Sequence, residues 1–170
     1  MAGRSEYLNT EAFFMEVAKL AAQRSKDPET QVGACIIKDN KIVVGIGYNH
    51  MLKESNEFSW ARKKENPSNN KHIFVIHAET CAIINKTVDD INGCTIYVTL
   101  FPCNECAKAI IEAGITEVVY LSDKYAKKEY TINAKKMFDK VGVSYRQYVF
   151  KRGLAETDVK EESCTKRRKL

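Results

Sequence analysis

At 170 residues the chain can bury one hydrophobic core but is short for two, and its 44% hydrophobic and 29% charged residues are those of an ordinary globular protein. No apolar run reaches the length of a membrane span, and the opening Met1-Ala2-Gly3-Arg4-Ser5-Glu6 lacks the apolar stretch of a secretory signal, so an intracellular, reducing setting is expected: the cytoplasm, with the nucleus as a second site. The net charge of +5 sits mostly in residues 151–170, with seven Lys or Arg against four Asp or Glu, and the nearly neutral body argues against a groove that tracks nucleic acid.

From Glu11 to Arg24 the residues Phe13, Phe14, Val17, Leu20 and Ala21 recur at helical spacing, which predicts a helix with Thr10 as N-cap and Pro28 as its stop. Gln31–Lys38 and Lys41–Tyr48 are β-branched runs joined by Asp39-Asn40, two residues that tolerate positive φ, and they read as a hairpin. Residues 49–72 crowd Lys, Glu, Asn and Ser around Trp60 and Pro67 and read as a long loop, a candidate for substrate or partner specificity.

From His77 the pattern turns regular. A helix through Asn85, a strand Thr95–Leu100, a helix Cys103–Ala113, a strand Glu117–Leu121, a helix Ile132–Val141 and a strand Ser144–Val149 follow in order, with Gly93, Gly114 and Gly142 as turn or C-cap residues. Such alternation implies an α/β domain with partly parallel pairing over residues 1–150. Residues 151–170 read as a charged, mobile tail. Its end, Lys166-Arg167-Arg168-Lys169, fits a solvated basic tail better than a nuclear-import or polyanion-binding patch.

In a reducing compartment six cysteines point away from disulfides, and two of them form Cys103-Asn104-Glu105-Cys106 directly after a strand and Pro102. Three residues apart on one helical face, both sulfurs can reach a single metal, and a helix N-terminus favours the thiolates that bind zinc. Alone the pair also fits redox chemistry, half of a four-cysteine site, or two buried cysteines. His77-Ala78-Glu79 opens another helix. Two sulfurs and one imidazole leave a tetrahedral zinc one open position, as catalytic sites do, and a glutamate two residues past the histidine can sit beside a water there. Singly, His77 could be a core histidine and Glu79 a residue suited to the helix dipole. Together the residues match the His-x-Glu and Pro-Cys-x-x-Cys signature of zinc deaminases.

Beyond that signature the chain resembles the deoxycytidylate (dCMP) deaminases of the cytidine-deaminase superfamily from Phe14 to about Tyr148. The likeness lies in Ala22-Gln23-Arg24-Ser25-Lys26-Asp27-Pro28, Gln31-Val32-Gly33-Ala34-Cys35, Gly45-Ile46-Gly47-Tyr48-Asn49, Leu100 through Lys108, and Ser122-Asp123-Lys124-Tyr125. The resemblance implies a three-layer αβα fold around a mixed five-stranded sheet, assembly as a homohexamer, and hydrolysis of dCMP to dUMP and ammonia for thymidylate synthesis. It implies one catalytic zinc on His77, Cys103 and Cys106, with Glu79 shuttling protons, and it places Asn49 at the nucleotide with Tyr125 and Lys124 towards the 5′-phosphate. It also brings dCTP activation and dTTP inhibition, with Mg2+ accompanying the triphosphate. Where family members continue after Gly-Tyr-Asn with a Gly and a Pro-x-Gly turn tied to that control, this chain has His50-Met51-Leu52-Lys53-Glu54, which puts the regulation in question. His50 and His72 form no recognisable second ligand set, so one zinc is expected. The rival readings are a deaminase acting on a base in RNA or DNA, and a noncatalytic zinc-binding partner protein of the same fold.

Overall fold

The computed structural model describes residues 7–52, 60 and 71–149, so most of the 49–72 segment, including Pro67, and the whole tail with its Lys166–Lys169 end lie outside the described residues. The elements are α1 (Thr10–Ala22), β1 (Gly33–Lys38), β2 (Ile42–Tyr48), β3 (His50–Met51), α2 (Lys71–Phe74), β4 (Val75–Ile76), α3 (Ala78–Ile84), β5 (Thr95–Leu100), α4 (Asn104–Glu112), β6 (Glu117–Ser122), α5 (Glu129–Val141) and β7 (Ser144–Gln147). No helix among them is long and apolar enough to cross a membrane.

Five strands form one sheet in the order β2-β1-β5-β6-β7. The β1 strand runs antiparallel to both β2 and β5, whereas β5, β6 and β7 are mutually parallel, so the sheet is mixed, as expected. Asp39 and Asn40 both take φ 53° and turn the β1–β2 hairpin, with Lys41 N–H closing on the Lys38 carbonyl at 3.1 Å. One face of the sheet is covered by α1, through Phe14, Met15 and Ala18 against Cys35, Ile37, Tyr97 and Val119. The other is covered by α3, α4 and α5, whose Ala78, Ala82, Ala107, Ile110, Ala134 and Phe138 pack on Ala34, Ile36, Ile96, Val98 and Val118. These are the three layers of an αβα sandwich, with a separate core on each side.

The first helix departs from its sequence reading. Its N-cap is Asn9, whose Oδ1 accepts the Ala12 N–H at 2.9 Å, and Thr10 is already helical. It stops at Ala22 with Gln23 as C-cap, well before Pro28. Its buried stripe is Phe14, Met15, Ala18, Ala21 and Ala22, while Phe13 and Leu20 are 48% and 65% exposed. Small alanines win the inner face because α1 lies so close to β1 that a Cβ on Gly33 would strike the Ala18 carbonyl. The long loop read over 49–72 is bounded by structure at both ends: His50 and Met51 pair with Ile76 and Val75, a contact between residues more than twenty apart that no local pattern announces. The last helix begins at Glu129, one turn ahead of its expected start at Ile132, and ends at Gly142 in the left-handed region (φ 78°).

A second close approach fixes the site. A Cβ on Gly47 would meet the Ala78 carbonyl and the backbone of Ala82, and one on Gly45 would lie 2.6 Å from the Ala82 carbonyl, so α3 rests directly on the β2 backbone. Substituting Gly47→Ala must therefore push α3 away from the sheet. The expected cost is about 1–3 kcal/mol or more in urea denaturation, with loss of zinc content, because α3 carries His77 at its start.

Candidate active site

The parallel strands β5 and β6 end at the same edge of the sheet, and the residues that follow them build one wall of a pocket, as in other α/β folds where ligands bind outside the carboxyl ends of strands. The opposite wall comes from Asp27, Thr30 and Val32 ahead of β1 and from Asn49 after β2. The cavity measures about 500 Å³.

Two helices start at its floor. His77 is the N-cap residue of α3 and Cys103 that of α4, and neither side chain caps its own helix, which leaves both turned to the space between them. Cys106, in the first turn of α4, is buried. His77 Nδ1 lies 3.2 Å from Cys106 Sγ and 3.4 Å from Cys103 Sγ, and the three donor atoms all lie within 4.8 Å of one another. A tetrahedral zinc with Zn–S of about 2.3 Å and Zn–N of about 2.0–2.1 Å sets neighbouring N and S donors about 3.5 Å apart, close to both N–S separations here. Among the described residues no other His, Cys, Asp or Glu group clusters in this way.

Protonation within the set is unequal. A hydrogen bond from Cys106 and another from His77 hold the Cys103 thiol well below the ordinary range, despite its burial. Cys106 is pushed up by the same bond and by its own burial. Glu79, 4% exposed, sits on the same pocket, and desolvation raises its carboxyl above the usual carboxylate value. A carboxyl tuned upward and beside a metal set is suited to taking and returning a proton. Thr80, not singled out from the sequence, reaches Cys106 Sγ at 4.0 Å.

The expected substrate residues are placed unevenly. Asn49 and Tyr125 line the pocket with His77, Glu79 and Cys103, whereas Lys124 does not; its ammonium lies 5.0 Å from the centroid of the Tyr125 ring. Asn49 is buried and its amide is used by the protein itself, accepting the Val32 N–H at 2.8 Å and donating to the Thr30 carbonyl at 3.0 Å and to Asp27 Oδ2 at 3.4 Å. Behind it stands a buried ion pair that sequence reasoning missed. Lys71 Nζ sits 2.9 Å from each Asp27 oxygen and 3.3 Å from Glu29, with the Lys71 and Asp27 side chains 3% and 5% exposed. The partners stand 44 positions apart in the sequence, with no periodic signal linking them. Asp27 alone fell within a block quoted from the sequence, Ala22–Pro28, with no role assigned to it.

A family model described as the cytidine and deoxycytidylate deaminase zinc-binding region matches residues 8–122. The chain is 48% identical to the deoxycytidylate deaminase of Homo sapiens over 148 residues, covering 86% of this chain and 83% of that protein. It is 50% identical to the deoxycytidylate deaminase of Mus musculus over 147 residues, covering 85% and 83%. The solved dCMP deaminase from the cyanophage S-TIM5, in complex with dCMP and dUMP, superposes with a TM-score of 0.66 at 23% identity, covering 84% of this chain and 100% of that one, a likeness of fold.

The ion pair yields a stability test. Burial raises the Asp27 carboxyl, but the Lys71 hydrogen bond, backbone N–H groups of Glu29 and Thr30 and the Lys71 charge outweigh it, leaving a net lowering from 3.8. The pair therefore stabilises the fold fully above the unfolded carboxyl value, and that share is lost as pH falls through the lower folded value. Lys71→Met strands a buried carboxylate and is expected to cost roughly 3–5 kcal/mol in urea denaturation at pH 7; pairing it with Asp27→Asn is expected to recover part of the loss.

Proposed function

The chain belongs to the cytidine and deoxycytidylate deaminases, and from that footing we propose that it is a zinc-dependent enzyme hydrolysing dCMP to dUMP and ammonia, the supply of dUMP for thymidylate synthesis. The observation that carries the reading is a buried glutamate, Glu79, in the same pocket as three converging metal donors. A structural zinc site has no use for a proton carrier at its side.

His77, Cys103 and Cys106 would hold the zinc, leaving a fourth position for solvent. When bound, zinc makes water acidic enough to attack at neutral pH, lowering its pKa towards about 7. Glu79 takes a proton from the attacking water and delivers it to N3 of the cytosine ring, which makes C4 electrophilic. As the tetrahedral centre at C4 collapses, the carboxylate takes the remaining hydroxyl proton and passes it to the amine, so that C4=O forms, the C4–N bond breaks and ammonia leaves. Asn49 shapes the nucleoside wall by holding Val32 and Thr30 in place, and Tyr125 faces the nucleotide with Lys124 supporting its ring.

Residues 1–150 are assigned as the deaminase domain, and the charged segment 151–170 as an appendage to it. Assembly as a homohexamer and a cytoplasmic location, with the nucleus as a second site, belong to the same proposal. The regulatory arm of the reading is activation by dCTP and inhibition by dTTP, with Mg2+ on the triphosphate. It turns on His50 and Met51, which here form a strand, and a dCTP titration at subsaturating dCMP measures it.

Replacing Glu79→Gln is expected to leave zinc content unchanged and to lower turnover of dCMP by about a hundredfold or more, the scale of a lost general acid/base. His77→Ala is expected to lose the metal. Ammonia release should be measured side by side from dCMP, deoxycytidine, CMP and a cytosine-containing oligonucleotide. Release from dCMP first is the expected order; release from the oligonucleotide alone would favour a nucleic-acid deaminase, and release from none would favour the noncatalytic zinc protein.

A further inference from the structure

The charge balance of the pocket, taken together with the dCMP reading on which this step rests, singles out one more residue. A 5′-phosphate brings nearly two negative charges to a cavity that Asp27, Glu79 and a cysteine sulfur also line, and a charge-assisted hydrogen bond from a lysine is the strong way to offset them. Two lysines line the cavity among the described residues, Lys71 and Lys128. Lys71 is committed: its buried ammonium is shared by Asp27 and Glu29, a triad with net negative charge. His72 is also on the lining, but it lies at the α2 side, next to Lys71 in the chain.

Lys128 is placed differently. It is the N-cap residue of α5, exposed, on the wall built by the β6–α5 connection. Its backbone is held on both sides: its N–H donates to the Tyr125 carbonyl at 2.9 Å, and its own carbonyl accepts the N–H groups of Thr131 and Ile132, both at 3.0 Å. Its side chain makes no cap to the helix. Lys128 thus lines the pocket on a fixed backbone, with a side chain that takes no part in capping the helix. Tyr125 and Tyr130, whose rings meet edge to face at 6.4 Å, line the cavity beside it. Glu129, next in the chain, is exposed and off the lining. We infer that Lys128 is the specificity-determining cation that recognises the 5′-phosphate of the nucleotide.

Steady-state kinetics of the full-length, zinc-loaded protein test this with dCMP and deoxycytidine as paired substrates. Lys128→Met is expected to lower kcat/KM for dCMP about 10- to 100-fold, chiefly through KM, the effect of one charge-assisted hydrogen bond. Turnover of deoxycytidine should not change, Lys128→Arg should keep most of the dCMP rate, and the exposed Lys127→Met should behave as wild type. Calorimetric binding of dUMP against deoxyuridine reads the same difference without turnover, with only dUMP weakened. Unchanged kcat/KM for dCMP in Lys128→Met, or an equal loss on both substrates, would overturn the assignment while leaving the dCMP reading intact. A wild-type protein that binds and turns over no dCMP would overturn both.

Discussion

Everything at the site depends on two helices starting at the same point in space. His77 and Cys103 are N-cap residues of α3 and α4, and the metal set forms only because those two N-termini converge. Their convergence is a backbone matter. One helix lies directly on the β2 backbone because Gly45 and Gly47 present no Cβ to it, and the other follows β5 through Phe101 and Pro102 with no slack in the chain. Helix N-termini also supply the local positive potential that favours thiolates, and at the start of α4 the Cys106 backbone N–H is among the groups that hold the Cys103 thiol low.

Around that fixed floor the pocket walls are held by contacts of a different kind. On one side a buried carboxylate and ammonium, Asp27 and Lys71, brace Asn49 and the turn before β1. On the other, Asp123 and Lys135 pair at 2.6 Å, with the Lys135 ammonium also 4.9 Å from the Phe101 ring, and so tie the β6–α5 connection to the helix that follows it. Buried or half-buried ion pairs add little net stability, but they fix relative position. Here they anchor chain segments on two sides of the cavity. Phe101, two residues from Cys103, meets Tyr120 and Tyr145 edge to face and so links the Asp123–Lys135 side to the metal set.

Much of this was legible in the chain. Asp39-Asn40 announced a hairpin because each tolerates positive φ, and Gly142 announced a helix end for the same reason; both stand in that region. His77, Glu79, Cys103 and Cys106 could be read because metal chemistry restricts residue type and spacing within single helical turns. What escaped was set by contacts distant in sequence. Nothing local tells that Lys71 meets Asp27, that His50 pairs with Ile76, or that α1 turns its alanines inward and leaves Phe13 and Leu20 outside. The helical spacing of Phe13, Val17 and Leu20 was real, but closeness to the sheet, not hydrophobicity alone, decided which face was buried.

The central claim is that two helix N-termini together make a zinc site with three protein ligands and one open position. X-ray absorption spectroscopy of the zinc-loaded protein, with and without dUMP, tests it most directly. The account predicts two sulfur scatterers at about 2.3 Å and nitrogen or oxygen scatterers at about 2.0–2.1 Å, with the latter shell altered by the nucleotide. A first shell of four sulfurs, or of none, would contradict it, as would a shell of four protein ligands indifferent to dUMP.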